Sequence, residues 1–188
     1  LIWAAVAKII VLNGVSSAGK TTLAKAIQAR SSRPVLRVAM DTFLEMMPAR
    51  FANHAQAFAF DAVAEVDPPE TSVMTGPFGT ALMQGMRRSV AALADEGLDL
   101  VVDDVMLDPG DEADYRHALA AHELRFVAVR CTIETAEARE RARGDRYIGQ
   151  ARWQYSRVHK GVSYDLEIET DHATAEQLAP KVIETFGL

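Results

Sequence analysis

The chain has 188 residues, 49% of them hydrophobic and 24% charged, a size and composition that let a folded domain bury a core without covalent staples. Its formal charge is -6, from 26 acidic against 20 basic residues, which argues against a nucleic-acid partner because such binding leans on phosphate neutralisation. The single cysteine, Cys131, excludes an internal disulfide, and a cytoplasmic setting is the expectation.

Leu1 to Leu12 is apolar except for Lys8, shorter than the roughly 20 residues of a membrane span, so no membrane partner is expected. Lys8 to Asn13 reads as a buried first strand, while Leu1 to Ala7 fits a strand extension, a tag remnant or an alternative start. A helix is predicted over Lys20 to Ala29, ended by Ser31-Ser32-Arg33-Pro34. Val35 to Met40 reads as a second strand. A short helix follows from Thr42, where Thr42 and Glu45 have capping-box spacing, and Pro48 closes it. Ala49 to Thr75 has no clear period, and Asp67-Pro68-Pro69-Glu70 reads as a turn. From Pro77 to Leu93, Phe78, Leu82, Met86, Val90 and Leu93 recur at helical spacing. Leu98 to Val102 and Arg125 to Val129 read as strands, joined through a helix around Asp111 to His122. A helix from about Thr132 carries arginines and is ended by Gly144-Asp145. Tyr164 to Glu169 alternates apolar and acidic residues as a strand does, and a last helix starts near Thr174, with Gln177 three residues on. With no repeat or long linker, this alternation predicts one α/β domain over residues 1–188, a parallel sheet covered on both faces.

The strongest chemical signal lies between the first strand and the first helix. Gly14-Val15-Ser16-Ser17-Ala18-Gly19-Lys20-Thr21 fits G-x-x-x-x-G-K-[ST] in the strand-to-helix context that confirms a phosphate loop. Its N–H groups and the helix start suit the phosphates of ATP, with Thr22 at the opening of the helix. Lys20 is expected on the outer phosphates and Thr21 on magnesium. Asp103 and Asp104 follow an apolar strand at the sheet's carboxyl edge. Asp103 is the first choice for the magnesium side and Asp104 the second, since neighbours on a strand face opposite ways.

Asp41 closes the second strand, where ligands of parallel sheets bind. With Thr42 and Glu45 supplying a cap, Asp41 is free to accept the proton of an attacking hydroxyl; a structural or substrate-orienting role is the alternative. Arg139, Arg143 and Arg146 fall in an arginine-rich segment suited to a lid over the phosphates, whereas Arg141, Arg152 and Arg157 fit a solvated surface better. Met40, Met46, Met47, Met74, Met83, Met86 and Met106 cluster where an acceptor would sit. With Phe43, Phe51, Phe58 and Phe78 they suggest a partly apolar acceptor pocket, Met83 and Met86 being the best candidates for plain helix packing. The five histidines lack metal-ligand spacing, and Cys131 reads as a buried small hydrophobe.

In this order, over most of the chain, these residues resemble the chloramphenicol phosphotransferase family. The resemblance rests on Ile9 to Gly14 with Ser16 to Lys20, on Asp41-Thr42-Phe43 with Met47-Pro48, and on Val101 to Val105. It continues through Val129-Arg130-Cys131, Arg139-Glu140 with Ala142 to Arg146, and His159 to Asp165. It implies a nucleotide-kinase-like P-loop NTPase fold, three layers α/β/α around a five-stranded parallel sheet, with a helical lid over about 134–157. It also implies ATP, magnesium and transfer to a primary hydroxyl of chloramphenicol, with a resistance or self-protection role. Asp41 aligns with the family's proposed base, Lys20 and Thr21 with its loop residues, and Arg139, Arg143 and Arg146 with its lid arginines. Between Phe51 and Thr75 the family pattern is not followed, so the transfer machinery carries over better than the acceptor. The expectation is an ATP-dependent O-phosphotransferase acting on a small-molecule hydroxyl, of chloramphenicol or another antibiotic. A nucleoside, nucleotide or sugar kinase of this fold is the alternative, and a nucleotide-dependent switch the more remote one.

Overall fold

The computed structural model describes residues 6–108 and 110–188, so the readings of Leu1 to Ala5 lie outside the described residues. In chain order the elements are β1 (Lys8–Asn13), α1 (Lys20–Arg30), β2 (Val35–Ala39), α2 (Met40–Glu45), β3 (Phe58–Ala62), β4 (Thr71–Thr75) and α3 (Pro77–Asp95). They continue with β5 (Asp99–Asp104), α4 (Gly110–Ala118), β6 (Glu123–Arg130), α5 (Ile133–Arg143), α6 (Gln150–Tyr155), β7 (Leu166–Glu169) and α7 (Ala175–Phe186). The sheet has five parallel strands in the order β2-β5-β1-β6-β7, as the alternation of strands and helices predicts.

The near-continuous apolar runs of β1, β5 and β6 feed two cores, because alternate side chains leave opposite faces. Ile10, Leu12, Val101 and Val127 pack against Leu23 and Ile27 of α1 and Val182 of α7. Ile9, Val11, Leu100, Val102 and Phe126 pack against Met86 and Val90 of α3 and Tyr115 of α4. The result is an α/β/α sandwich in which β1 is buried on both faces. Register then fixes the site: Asn13 pairs with Asp104, Leu12 with Asp103, and Ala39 with Asp103. The phosphate loop, the start of α2 and the acidic pair therefore emerge together at the sheet's carboxyl edge.

Several boundaries differ from the sequence reading. α2 starts at Met40 with Ala39 as its N-cap residue, so Thr42 sits inside the helix and makes no capping box with Glu45. Asp41 accordingly lies in the first turn of α2, where the helix dipole favours a carboxylate, and not on the strand. β5 runs through Asp103 and Asp104, and α4 stops at Ala118, short of His122. The unreadable stretch contains a hairpin, β3 with β4, whose loop carries the Asp67-Pro68-Pro69-Glu70 turn with a cis Asp67–Pro68 bond. At the C-terminal helix the capping box of Thr174 and Gln177 does form. Among the described residues no helix is long and apolar enough to cross a membrane.

Candidate active site

A cavity of about 1060 Å³ at the carboxyl edge holds both the phosphate loop and an apolar wall. The loop's shape follows from its residues. A Cβ on Gly14 would stand 2.2 Å from the Val129 carbonyl oxygen, so only glycine leaves β1 at that point. Ser17 has a left-handed backbone, φ 64°, and its Oγ is buried with no hydrogen-bond partner among the described residues. Such a reversal turns successive N–H groups to one side and makes an anion cradle. Ser16, Ser17, Gly19, Lys20, Thr21 and Thr22 border the cavity, while Gly14, Val15 and Ala18 lie beneath it. Val15 and Ala18 join the α1-side core.

Inside the cradle the Lys20 ammonium is buried and donates to the carbonyls of Gly14 and Val15, each at 2.9 Å. Burial pushes its pKa down, and the carboxylates of Asp103, Asp41 and Asp104 oppose that shift. Both acceptors are neutral, and phosphate oxygens would be stronger ones. Thr21 Oγ1 donates to Asp103 Oδ2 at 2.5 Å. A hydroxyl beside a carboxylate suits magnesium, which takes few protein oxygens and completes its shell with phosphate and water. Among the described residues no group of three or more His, Cys, Asp or Glu side chains gathers to hold a metal, so the chain by itself offers no complete cage. Asp104 turns the other way, as its place on β5 requires. Its Oδ2 accepts from Tyr115 Oη at 2.8 Å and its Oδ1 from the Val105 N–H at 2.7 Å. The structure thus brings Asp103, and not Asp104, to Thr21.

Asp41 is not free: Arg146 forms a charged hydrogen bond to its Oδ2. Half of the Asp41 side chain remains exposed at the cavity, and Arg146 keeps a buried Nε with no partner among the described residues. Arg139 bonds the Thr170 carbonyl at 2.7 Å, Thr170 Oγ1 at 2.9 Å and the Ala18 carbonyl at 3.3 Å, which ties α5 to the phosphate loop. Arg143 borders the cavity from the last turn of α5 and pairs with Asp145 just past the helix. These three arginines therefore share the site. Arg141 faces outward toward Glu137, and Arg152 also pairs with Glu137.

The apolar half of the cavity, where the sequence places an acceptor pocket, is walled by Met40, Leu44, Phe58, Phe60, Val73, Met74 and Met83. Met86 and Met83 are buried core, as their helical spacing predicts, with Met83 also bordering the cavity; Met106 is buried as well, and Met46 is exposed. Phe51 and Phe78 pack on each other with tilted rings away from the cavity, their centroids 5.3 Å apart, and Phe43 packs against the core. Cys131 is a buried free thiol, as expected, and burial pushes its pKa up.

Several functional neighbours escaped the sequence reading. Gln154, buried on α6, accepts the Ser16 N–H at 2.7 Å and borders the cavity. Buried Glu140 accepts the N–H groups of Gly149 at 2.7 Å and Ala151 at 2.8 Å, welding α5 to α6. Asn13 links β1 to Val158, to Tyr164 Oη and to the Met106 N–H. Arg87 lies on the buried side of α3 and borders the cavity. Its one sequence signal was a charge spaced four and three residues from apolar Met83 and Val90.

The family described as chloramphenicol phosphotransferase-like protein matches residues 7–186. A Mycobacterium tuberculosis protein provisionally named O-phosphotransferase is 29% identical over 184 residues, covering 95% of this chain and 82% of that protein. Among solved structures, the APS kinase of Mycobacterium tuberculosis in complex with AMPPNP and APS has a TM-score of 0.68 at 14% identity, covering 98% of this chain and 100% of that one. An unliganded sugar kinase from Janibacter sp. HTCC2649 has a TM-score of 0.61 at 19% identity, covering 96% and 94%. At these identities the structural likeness speaks to fold alone, that of P-loop kinases.

Proposed function

The chain belongs to the chloramphenicol phosphotransferase-like family, and from that premise we propose that it moves the terminal phosphate of ATP onto a hydroxyl of a small molecule. The observation that carries this reading is that the Asp41 carboxylate borders the same cavity as the phosphate loop and the apolar wall. An acceptor seated on Met40, Phe58, Phe60 and Met83 would hold its hydroxyl near Asp41. Asp41 takes the hydroxyl proton as the oxygen attacks phosphorus, and the bond to the ADP oxygen breaks. Arg146 holds that carboxylate in a fixed direction before the acceptor arrives. Lys20 exchanges its two carbonyl partners for phosphate oxygens, and Arg139 and Arg143 close over the charge that spreads in the transition state. Magnesium, held by Thr21 and Asp103, would supply further charge neutralisation on the phosphates.

A cytoplasmic enzyme that inactivates an antibiotic, chloramphenicol among the candidates, fits the family and the adaptable methionine wall. The experiment is an ATP-consumption screen with magnesium against amphenicols, other antibiotics, nucleosides and sugars, reading product mass for each hit. A gain of one phosphoryl group on any hydroxyl compound supports the reaction and names the acceptor. ATP turnover that no acceptor stimulates, from protein that binds the nucleotide, would count against it.

A further inference from the structure

The segment from Arg146 to the end of α6 reaches three parts of the site. Arg146 bonds Asp41, Tyr147 stacks on Phe60 of the β3–β4 hairpin, and Gln154 accepts the Ser16 N–H of the phosphate loop. α6 packs beside β4, whose Val73, Met74 and Thr75 border the cavity. Gln150 opens α6 and lies one turn before Gln154, so the two side chains share a face of the helix. It is only 8% exposed, and it borders the cavity. Its backbone N–H donates to the Tyr147 carbonyl at 3.1 Å, but its carboxamide has no hydrogen-bond partner among the described residues. Unlike the Arg87 and Arg146 Nε atoms, the amide nitrogen and oxygen of Gln150 are not sealed off, so a molecule in the cavity can reach them. The backbone on either side is pinned. The N–H groups of Gly149 and Ala151 both donate to the buried Glu140 carboxylate, at 2.7 and 2.8 Å, and the Gly149 carbonyl accepts the Thr71 N–H at 3.1 Å. A polar side chain so buried, on a root so fixed and with no protein partner, costs free energy that a ligand's hydrogen bond would recover. Charge narrows the ligand. The phosphates of a nucleotide have Lys20, Arg139, Arg143 and Arg146 to meet them, and a neutral amide adds little there. A carboxamide both donates and accepts, which matches a hydroxyl or another amide.

We propose that Gln150 determines specificity for the acceptor: its carboxamide hydrogen-bonds a neutral hydroxyl or amide of that molecule, distinct from the hydroxyl that takes the phosphate. This rests on the phosphotransfer reading above and deepens it. Asp41 and Gln150 then read two polar groups of one acceptor seated on the apolar wall, so a compound with a lone hydroxyl is a poor substrate. Diols, sugars and hydroxyl compounds that carry an amide, amphenicols among them, meet the requirement.

The test is calorimetric binding to protein loaded with magnesium and AMPPNP. The probes are chloramphenicol, glucose and uridine, each with a set of singly O- or N-methylated partners. Wild type is compared with Gln150→Met, which keeps the length of the side chain and loses the amide, and with Gln150→Leu as a second variant. The expected result is that at least one probe binds the wild type and that one methylation weakens it roughly tenfold or more. That loss should shrink to within about twofold in Gln150→Met. Affinity for AMPPNP should hold within about twofold, and the Tm of the unliganded variants should not fall, because a buried amide without a partner has been removed. A merely structural Gln150 would lower Tm and leave every methylation effect as it was. The inference is overturned by that pattern in both variants, by the absence of binding to any probe, or by a loss of AMPPNP affinity equal to the loss of acceptor affinity. Product mass is read separately on the same set. A probe bound through Gln150 but never phosphorylated would sink the phosphotransfer reading and leave the Gln150 contact standing. Transfer with an acceptor KM unchanged in both variants would do the reverse.

Discussion

Arg146 gives Asp41 a fixed direction through a charged hydrogen bond while half the side chain stays open to the cavity, an arrangement that suits the base proposed above. Asp41→Asn keeps the shape and loses the proton acceptor. We expect kcat to fall by roughly 10²–10⁴-fold, with nucleotide affinity nearly unchanged. Rapid-quench turnover alongside AMPPNP titration checks this, and near-normal kcat would remove Asp41 from the chemistry. A second residue-scale prediction concerns His159. Asn13 Nδ2 donates to Tyr164 Oη at 2.7 Å, so the phenol's own hydrogen goes to His159 Nδ1, 2.8 Å away. That ring must be neutral. Burial pushes its pKa down to about 4, Arg130 adding to the effect, against an ordinary value of 6.5. The unfolded chain therefore takes up the proton first. The contribution to stability is complete above about pH 6.5 and is lost as pH falls toward about 4, an effect of roughly 1–2 kcal/mol once solvent screening is allowed for. Urea unfolding at pH 7 and pH 5 should show the loss, and His159→Gln, whose amide oxygen can still accept, should flatten the slope over that interval.

At the scale of elements, the turn between α5 and α6 and the β3–β4 hairpin are one mechanical unit. The Thr71 N–H donates to the Gly149 carbonyl at 3.1 Å, Thr71 Oγ1 donates to the Ile148 carbonyl at 2.8 Å, and Phe60 stacks on Tyr147 with centroids 4.5 Å apart. Glu140 fastens the same turn from below. Gly149 is the joint. Its φ is 87°, and an added Cβ would stand 2.4 Å from the Pro69 carbonyl oxygen and 2.9 Å from Glu70 Cα, both in the hairpin loop. Gly149→Ala therefore faces an unfavourable backbone and a backbone clash together. It should cost about 1–3 kcal/mol, a Tm fall of roughly 2–12 °C for a chain of this size. Because the clash separates hairpin from lid, acceptor KM should rise more than the KM for ATP. Equal changes in both would mean that hairpin and lid act independently. Elements set by short-range rules were legible in the sequence: β1, α1, the start of α5 near Thr132, its Gly144 end and the Thr174 box. The α2 start was misread because Thr42 and Glu45 satisfy a local rule that the chain does not use, the helix having begun two residues earlier. The hairpin was missed because its strands alternate weakly, and what holds Thr71 is a turn some 80 residues away.

Over the whole molecule the same division separates the two halves of the cavity. The nucleotide half is written in one contiguous motif plus residues that parallel register brings level, so sequence alone could name Lys20, Thr21, Asp103 and the lid arginines. The acceptor half is assembled from α2, the hairpin, α3 and the loop after β5, and contacts such as Arg87 with Asp111 have no periodic trace. What joins the halves is charge. The Lys20 ammonium donates to two carbonyls, Ser17 Oγ is buried with no partner among the described residues, and the arginines lean on Asp41, Asp145 and Thr170. A bound triphosphate would satisfy the buried groups at once and draw α5 and α6 toward the loop, through Arg139 on one side and Gln154 on the other. Magnesium with AMPPNP at 100 times its Kd should therefore stabilise the fold by about 2.7 kcal/mol, a Tm rise of roughly 5–11 °C. Hydrogen exchange should slow in the phosphate loop, in α5 and α6, and also in β4, which touches no nucleotide but is bonded to the Ile148–Gly149 turn. Lys20→Ala should abolish most of the Tm rise. Protection confined to the phosphate loop, with β4 unchanged, would show that nucleotide binding does not reach the acceptor wall, and the coupling of donor site to acceptor site would have to come from the acceptor itself.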